Sequence, residues 1–148
     1  MNFTAEEKKM MANSDVLGHI RANNARRNEQ AVAEGWTFWT TVSEDIAKDY
    51  ANVYDYEHCM TYGEYSDFYK EVHGIRPRWI RADRLTLSDL QGLIRELSEA
   101  SRAAAEAEAQ WLADQAKLES ERAEADQWRK TEGYLYDIQD ALSGVRGR

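Results

Sequence analysis

The residues from Thr86 to Lys130 form the longest uninterrupted pattern in this sequence, with no proline and no glycine after Gly92. The stretch is dense in Ala, Glu, Leu, Arg and Gln, which are good helix formers. A long amphipathic helix is predicted, on the order of 65 Å at ~1.5 Å per residue. Its apolar positions recur every three or four residues, as expected of one helix face: Leu90, Leu93, Ile94, Leu97, Ala100, Ala104, Ala107, Trp111, Leu118 and Ala125.

A helix of that length outruns a compact domain of 148 residues, whose radius of gyration is near ~15 Å. We expect it to project, to bend back, or to pack against a second copy of the chain. Thr131-Glu132-Gly133 offers a break, after which residues 134–142 can fold back as a short final helix. Without a partner, several large apolar side chains would be exposed: Trp111, Leu112, Leu118 and Trp128. A coiled-coil hairpin or a homodimer is predicted, and a long solvated helix is the alternative.

The N-terminal part carries the signals of two short helices. Thr4 and Glu7 have the spacing of a capping box, in which the hydroxyl and the carboxylate each bind the other residue's backbone N–H. Ser14 or Asp15 can cap a second helix, and Gly35 is its expected stop.

Two further capping boxes, Thr41–Glu44 and Thr61–Glu64, predict the starts of a third and a fourth helix. The fourth is expected to end at Gly74, because Pro77 follows and cannot continue a helix. The aromatic and β-branched run Trp36–Val42 is the one strand-like stretch. A sheet would lack other strands, so an extended connector or the start of a buried helix is predicted there.

The fold class is therefore predicted to be all-α: a globular cluster of short helices at 1–85, and a long C-terminal helix with a short fold-back helix at 86–148. One proline and eight glycines argue against an all-β fold, which needs many turns. A single cysteine excludes a disulfide framework. No apolar run approaches the roughly 20 residues that span a bilayer, so we expect a soluble, cytoplasmic protein that contacts no membrane.

The net charge of −8 is unevenly distributed. Residues 41–67 carry seven acidic groups and one basic group, whereas residues 68–84 carry five basic and two acidic groups. An acidic chain is not a typical nucleic-acid binder, because phosphate contacts supply most of that affinity. A short basic segment thus follows an acidic one.

The basic segment is the sharpest polar feature and is predicted to bind a partner. Arginines bind carboxylates or phosphates bidentately, and a tryptophan among them can stack on a base or a guanidinium. The alternative is internal, since the same arginines could pair with acidic residues of 41–67 and clamp the helices together. The predicted partner-binding residues are Arg76, Arg78, Trp79, Arg81 and Arg84.

The acidic residues before this segment could imitate a row of phosphates and occupy a DNA-binding channel. A solvated face that keeps the protein soluble is the favoured alternative, because a net charge of −8 is moderate. The candidate mimic residues are Asp45, Asp49, Asp55, Glu57, Glu64 and Asp67.

Tyrosines are unusually dense between residues 50 and 69. A tyrosine buries its ring while its hydroxyl stays in water, which suits an interface, although a small helical core could use the same rings. Tyr62 and Tyr65 are the predicted aromatic anchors of the partner interface.

Catalytic and cofactor motifs are absent from the sequence. Cys59 lies beside His58, but a cysteine nucleophile needs a base close in space, and a buried, inert cysteine is the favoured interpretation. Glu57, His58, Glu64 and His73 match no known pattern of metal ligands. No glycine-rich phosphate loop occurs. We expect a non-enzymatic protein with no metal and no cofactor.

The segment Tyr65–Arg78 contains Ser-Asp-aromatic, a basic–acidic pair and then Gly-aliphatic-Arg-Pro-Arg. The matching residues are Ser66, Asp67, Phe68, Lys70, Glu71, Gly74, Arg76, Pro77 and Arg78. This segment resembles one found in many small, uncharacterised proteins of tailed phages and prophages. The resemblance implies a phage accessory protein working in the cytoplasm of an infected bacterium, and it carries no catalytic residues.

Two functional hypotheses follow. The first is a phage-type effector that binds a bacterial protein or complex, such as a defence system or a nucleic-acid enzyme, and inhibits or redirects it. The second is a small DNA- or RNA-binding regulator that uses the basic segment between Arg76 and Arg84.

Overall fold

The computed structural model describes residues 1–37 and 41–146, except for the side chains of Tyr134, Val145 and Arg146. Within these residues the chain forms four α-helices, two 3₁₀ helices and no strand, so the all-α prediction is confirmed. The α-helices are α1 (Ala5–Ala12), α2 (Val16–Ala33), α3 (Val53–His73) and α4 (Leu87–Arg146), and the 3₁₀ helices are Glu44–Asp49 and Ala82–Arg84.

The first two helices begin and end where the sequence predicts. Thr4 and Glu7 form the capping box of α1. The Asp15 carboxylate accepts a hydrogen bond from the Gly18 N–H at 2.9 Å and caps α2. That helix ends before Gly35, whose φ of +88° is a left-handed conformation that favours glycine.

The middle of the chain departs from the prediction. Ser43 caps a 3₁₀ helix that ends at Asp49, so the first of the two boxes does not start an α-helix. Asn52 caps α3 through the Asp55 N–H, and Thr61 is a buried residue inside that helix. The capping patterns at 41–44 and 61–64 are therefore wrong as α-helix starts, because a hydroxyl and a glutamate three residues apart are also compatible with a 3₁₀ turn or a helix interior.

The strand-like stretch 36–42 lies partly outside the described residues, which leave out 38–40. Its described ends are neither helix nor strand. Val42 is fixed to α2 by two backbone hydrogen bonds with the Asn24 amide, at 2.8 and 3.0 Å. A bidentate ion pair between Arg21 and Glu44 also joins α2 to the first 3₁₀ helix.

Residues Met1–Glu99 form one compact unit. Val16, Ile20 and Tyr56 are its central cluster, surrounded by partly buried apolar side chains that include Ile46 and Tyr50. The first turns of α4 also bury Leu87, Leu90 and Leu97. These turns therefore belong to the same compact unit as residues 1–85, whereas the sequence-based prediction assigns them to the separate region 86–148.

A buried carboxylate joins the first and last helices of this unit. Glu7 is only 2% exposed. Its Oε2 accepts from the Thr4 N–H at 2.6 Å, and its Oε1 accepts from the Ser88 N–H at 2.9 Å. Burial alone would raise the Glu7 pKa, but the hydrogen bonds from Thr4 and Ser88 outweigh burial and lower it. One side chain thus binds free N–H groups at the starts of α1 and α4.

Residues Ala100–Arg148 form the second compact unit, described as far as residue 146 as the remainder of α4. All its described side chains except Ser101, Gln115 and Glu132 are exposed. The break expected at 131–133 is absent, since the helix continues to Arg146. The Thr131 hydroxyl bonds to the Gln127 and Trp128 carbonyls at 3.1 Å, and a lone glycine costs a helix only about 1 kcal/mol. The prediction of a hairpin within α4 is therefore wrong.

Within the described residues, none of the helices carries an apolar stretch that could cross a lipid bilayer.

Candidate docking surface

The C-terminus of α3 positions the basic segment. Gly74 ends the helix with φ +82°, and its N–H donates to the Lys70 carbonyl at 2.7 Å. A positive φ is accessible to glycine without strain. The chain reverses direction there, so Arg76 comes back beside α3 and binds Asp67 and Ser66.

A buried proline and an exposed tryptophan follow. Pro77 is fully buried and its carbonyl accepts from the Ile80 N–H at 3.1 Å, which closes a tight turn. Trp79 stands in this turn with 60% of its surface exposed. Its ring packs against the Tyr69 ring of α3 in a T-shaped arrangement, with the ring centroids 5.6 Å apart. The indole is thus held from one side and open on the other.

Two open grooves meet at this tryptophan. The first, of about 540 Å³, is lined by Lys70, Gly74, Ile75, Arg76, Arg78 and Trp79. The second, of about 390 Å³, is lined by Trp79, Ile80, Arg81, Arg84, Leu85 and Leu93. We call the residues of the two grooves the basic–aromatic surface. Its shared centre is apolar and its edges carry five positive side chains.

The four arginines divide into two internally paired and two unpaired residues. Arg76 lies 2.5 Å from the Asp67 carboxylate. Arg81 makes a bidentate pair with Asp83 at 3.0 and 3.1 Å, and this pairing lowers the pKa of the Asp83 carboxyl. The side chains of Arg78 and Arg84 form no hydrogen bond or ion pair with any described residue. Of these four arginines, only Arg76 therefore pairs with an acidic residue of the segment 41–67.

The two tyrosine anchors differ in accessibility. Tyr62 is half-buried, and its hydroxyl donates to the carbonyl of Ile80, a residue that lines the second groove, at 3.4 Å. Tyr65 is only 4% exposed, and burial raises its pKa. Tyr65 therefore belongs to the core and offers no exposed ring to a partner.

The candidate mimic residues do not gather on one face. Asp45 and Asp49 lie on the first 3₁₀ helix, whereas Asp55 and Glu64, nine residues apart, point to opposite sides of α3 at ~3.6 residues per turn. Two of the six are engaged within the protein: Glu57 is paired with His19 at 2.5 Å, and Asp67 with Arg76. The structure thus separates the acidic residues that a phosphate mimic would need in a row.

Cys59 and His58 point to different partners. Cys59 is exposed, so the buried interpretation is wrong, and its Sγ accepts a hydrogen bond from the Tyr50 hydroxyl at 3.4 Å. That bond, together with burial and nearby negative charge, raises the pKa of Tyr50 to about 12. His58 Nε2 instead lies 2.7 Å from the Leu85 carbonyl. Among the described residues no three metal-ligating side chains come together.

Sequence reasoning missed the apolar part of the basic–aromatic surface. Ile75 is 59% exposed and lines the first groove, and Leu93 of α4 lines the second. An apolar residue directly after a helix-ending glycine commonly packs back onto the helix, so the pattern gave no sign that Ile75 would be exposed.

Comparisons with known proteins give no relative for this chain: no protein family matches it, no curated protein matches its sequence, and no solved structure matches its fold.

Proposed function

We propose that the protein is a non-enzymatic docking protein that binds an acidic segment of a partner protein on the basic–aromatic surface. The observation that carries this proposal is Trp79, which is 60% exposed at the junction of two grooves and lies between the unpaired Arg78 and Arg84.

The energetics of interfaces support this choice of residues. Tryptophan and arginine are enriched among the few residues that dominate binding free energy. Trp79 is held by Tyr69, so little of its side-chain entropy is lost on binding. Arg78 and Arg84 can bind carboxylates without first breaking an internal pair. The surface is therefore suited to an acidic strand or helix that also presents an apolar side chain.

The resemblance of the segment 65–78 to phage proteins supports a bacterial partner. On this proposal the protein binds a bacterial protein or complex in the cytoplasm and inhibits or redirects it. The matched residues Arg76, Pro77 and Arg78 belong to the turn that builds the first groove.

The test is retention of a partner from nuclease-treated bacterial lysate on the immobilised full chain, followed by mass spectrometry. A stoichiometric partner is expected for the original chain. The Trp79→Ala variant should bind it at least about thirtyfold more weakly, as expected for a hot-spot residue. Arg78→Ala/Arg84→Ala should also weaken it, and added salt should weaken the original complex.

The matched control is Trp36→Ala, which removes another exposed tryptophan, at 63%, that lines neither groove. It should retain the partner fully. Circular dichroism of each variant confirms that the helices remain. Equal retention by the original chain and by the Trp79→Ala and Arg78→Ala/Arg84→Ala variants would place the binding site elsewhere.

A nucleic-acid regulator is the second candidate, and the open indole of Trp79 among arginines is what favours it, since bases stack on aromatic rings. The pairing of Arg76 and Arg81 with carboxylates argues against it, because it leaves few cations for phosphates. Fluorescence anisotropy with single- and double-stranded DNA and RNA at low salt decides the matter. Salt-dependent binding that disappears in Arg78→Ala/Arg84→Ala would establish this candidate, and no binding at low salt would remove it.

A further inference from the structure

The second unit exposes a row of large apolar side chains. Trp111 is 59% exposed, Leu118 45%, Trp128 61% and Leu135 52%. Large contiguous apolar surface in water is uncommon on a protein that acts alone. Because α4 continues without a break, these side chains cannot be covered by a fold-back of the same helix.

The spacing of this row identifies what kind of partner covers it. From Leu90 to Gln139, alternating steps of three and four residues define fifteen positions, of which eleven are apolar, and this is the a and d pattern of a left-handed coiled coil. Leu90 and Leu97 are already buried in the first unit. The exposed continuation of the same seam consists of Ala100, Ala104, Ala107, Trp111, Asp114, Leu118, Glu121, Ala125, Trp128, Glu132, Leu135 and Gln139.

A second copy in parallel register fits this seam poorly. In a parallel pair each seam residue packs against its own copy. Asp114, Glu121 and Glu132 would then form three like-charge pairs inside the seam. At its edge Lys117 would also face Arg122 of the partner subunit.

We infer that α4 pairs with a second copy of this chain as an antiparallel coiled coil, in the register centred between Glu119 and Ser120. In an antiparallel pair each a position packs against a d position. Trp111 then packs against the partner's Trp128, which joins the two largest side chains of the seam. Each acidic seam residue meets an apolar one: Asp114 meets the partner's Ala125, Glu121 the partner's Leu118, and Glu132 the partner's Ala107.

The charges beside the seam select this register. Lys117 lies opposite the partner's Glu124, and the symmetry repeats the pair. A shift by one heptad in one direction brings Lys117 against its own copy, and a shift in the other brings Glu124 against its own copy. In the chosen register Arg122 lies opposite the uncharged Gln115 of the partner subunit, so the edge positions beside the seam bring no like charges together. Its overlap, 100–139, lies within the second unit and requires none of the leucines that the first unit buries.

Cysteine crosslinking tests the register, in a Cys59→Ser background because Cys59 is exposed. Residues 107 and 132 are too far apart in one helix to form a disulfide within a chain, but they face each other between copies. Mixing Ala107→Cys chains with Glu132→Cys chains under oxidation should give a crosslinked dimer. Either variant alone should give little. Efficient crosslinking of Ala107→Cys alone, or no crosslinking in the mixture, would overturn the antiparallel register.

Sedimentation equilibrium of the full chain tests the second copy itself. The original chain should be a dimer, and Trp111→Glu/Trp128→Glu should raise its dissociation constant at least about thirtyfold. The matched control is Leu112→Glu, which changes a residue 54% exposed beside Trp111 but outside the seam; it should remain a dimer. A monomeric original chain at high concentration, or equal weakening by Leu112→Glu, would overturn the proposal.

Charge reversal gives an independent measurement. Lys117→Glu should weaken the dimer about fivefold, because two attractive pairs become repulsive. The double variant Lys117→Glu/Glu124→Lys should restore it. In a parallel dimer Lys117→Glu would instead strengthen association by facing Arg122, so that result would contradict the antiparallel pair.

Discussion

Glu7 shows how a single side chain can stabilise two helices. A buried carboxylate costs free energy unless hydrogen bonds compensate for the lost water. Here Thr4 and Ser88 supply them from backbone N–H groups that no helical carbonyl can reach. The negative carboxylate also interacts favourably with the positive N-terminal ends of both helix dipoles. Glu7 is therefore a structural residue although it carries a charge.

Replacing Glu7 by Gln should lower the free energy of unfolding by about 1–3 kcal/mol, because the amide keeps one acceptor and turns its NH₂ toward a donor. Chemical denaturation at neutral pH measures this. Glu6→Gln, at an exposed neighbour, is the control and should change little.

The stability difference between the original chain and Glu7→Gln should depend on pH. The folded-state pKa of Glu7 is lowered, so its contribution is complete above the unfolded-state pKa and is lost as the pH falls through the folded-state value. The two proteins should converge in stability on acidification below the usual pKa range of glutamate. A difference that stays constant down to strongly acidic pH would contradict the role given to the carboxylate charge.

At the scale of the element, two glycines of one helix should respond oppositely to the same substitution. Gly74 has φ +82° at the end of α3, where alanine is strained, so Gly74→Ala should cost about 1 kcal/mol. Gly63 lies inside the same helix with open space around its Cβ position, so Gly63→Ala should stabilise by about 0.5–1 kcal/mol. Denaturant midpoints compare the two variants. Stabilisation by Gly74→Ala would show that the left-handed helix end is not required.

The elements that the sequence predicted well are those whose signals are local. A capping residue or a helix-ending glycine affects only the helical turn beside it. The four such residues found in their expected roles are Thr4, Asp15, Gly35 and Gly74. The capping pattern at Thr61 failed because Asn52 starts α3 earlier and the helix runs through it. A local pattern cannot reveal that an upstream residue already nucleates the helix.

The sequence predicts the charges of the basic–aromatic surface, but it does not predict which of the side chains around it are buried. Arg76–Arg84 stand out as a basic run, and the turn at Gly74 and Pro77 follows from local chemistry. Which tyrosine is exposed depends on packing across helices: Tyr62 reaches the loop carbonyl of Ile80, while Tyr65 is covered. The selective pairing of Arg76 and Arg81 likewise depends on where their carboxylates are placed in space.

At the scale of the whole molecule, the thermal stability of the helical signal should depend on protein concentration. Association stabilises the folded state by mass action, so a dimer through α4 should melt at higher temperature when more concentrated. Circular dichroism at several concentrations measures this. Trp111→Glu/Trp128→Glu should melt independently of concentration, and a concentration-independent original chain would argue against a dimer.

The contact between Glu7 and Ser88 also sets an order of events when the chain is made. The two residues are 81 positions apart, and contacts between distant positions form slowly because the intervening loop must first close. During synthesis α1 emerges long before its second donor exists. The Glu7 carboxylate therefore stays hydrated until residue 88 has left the ribosome. The N-terminal helix can reach its final position only when the first turn of the long helix has formed.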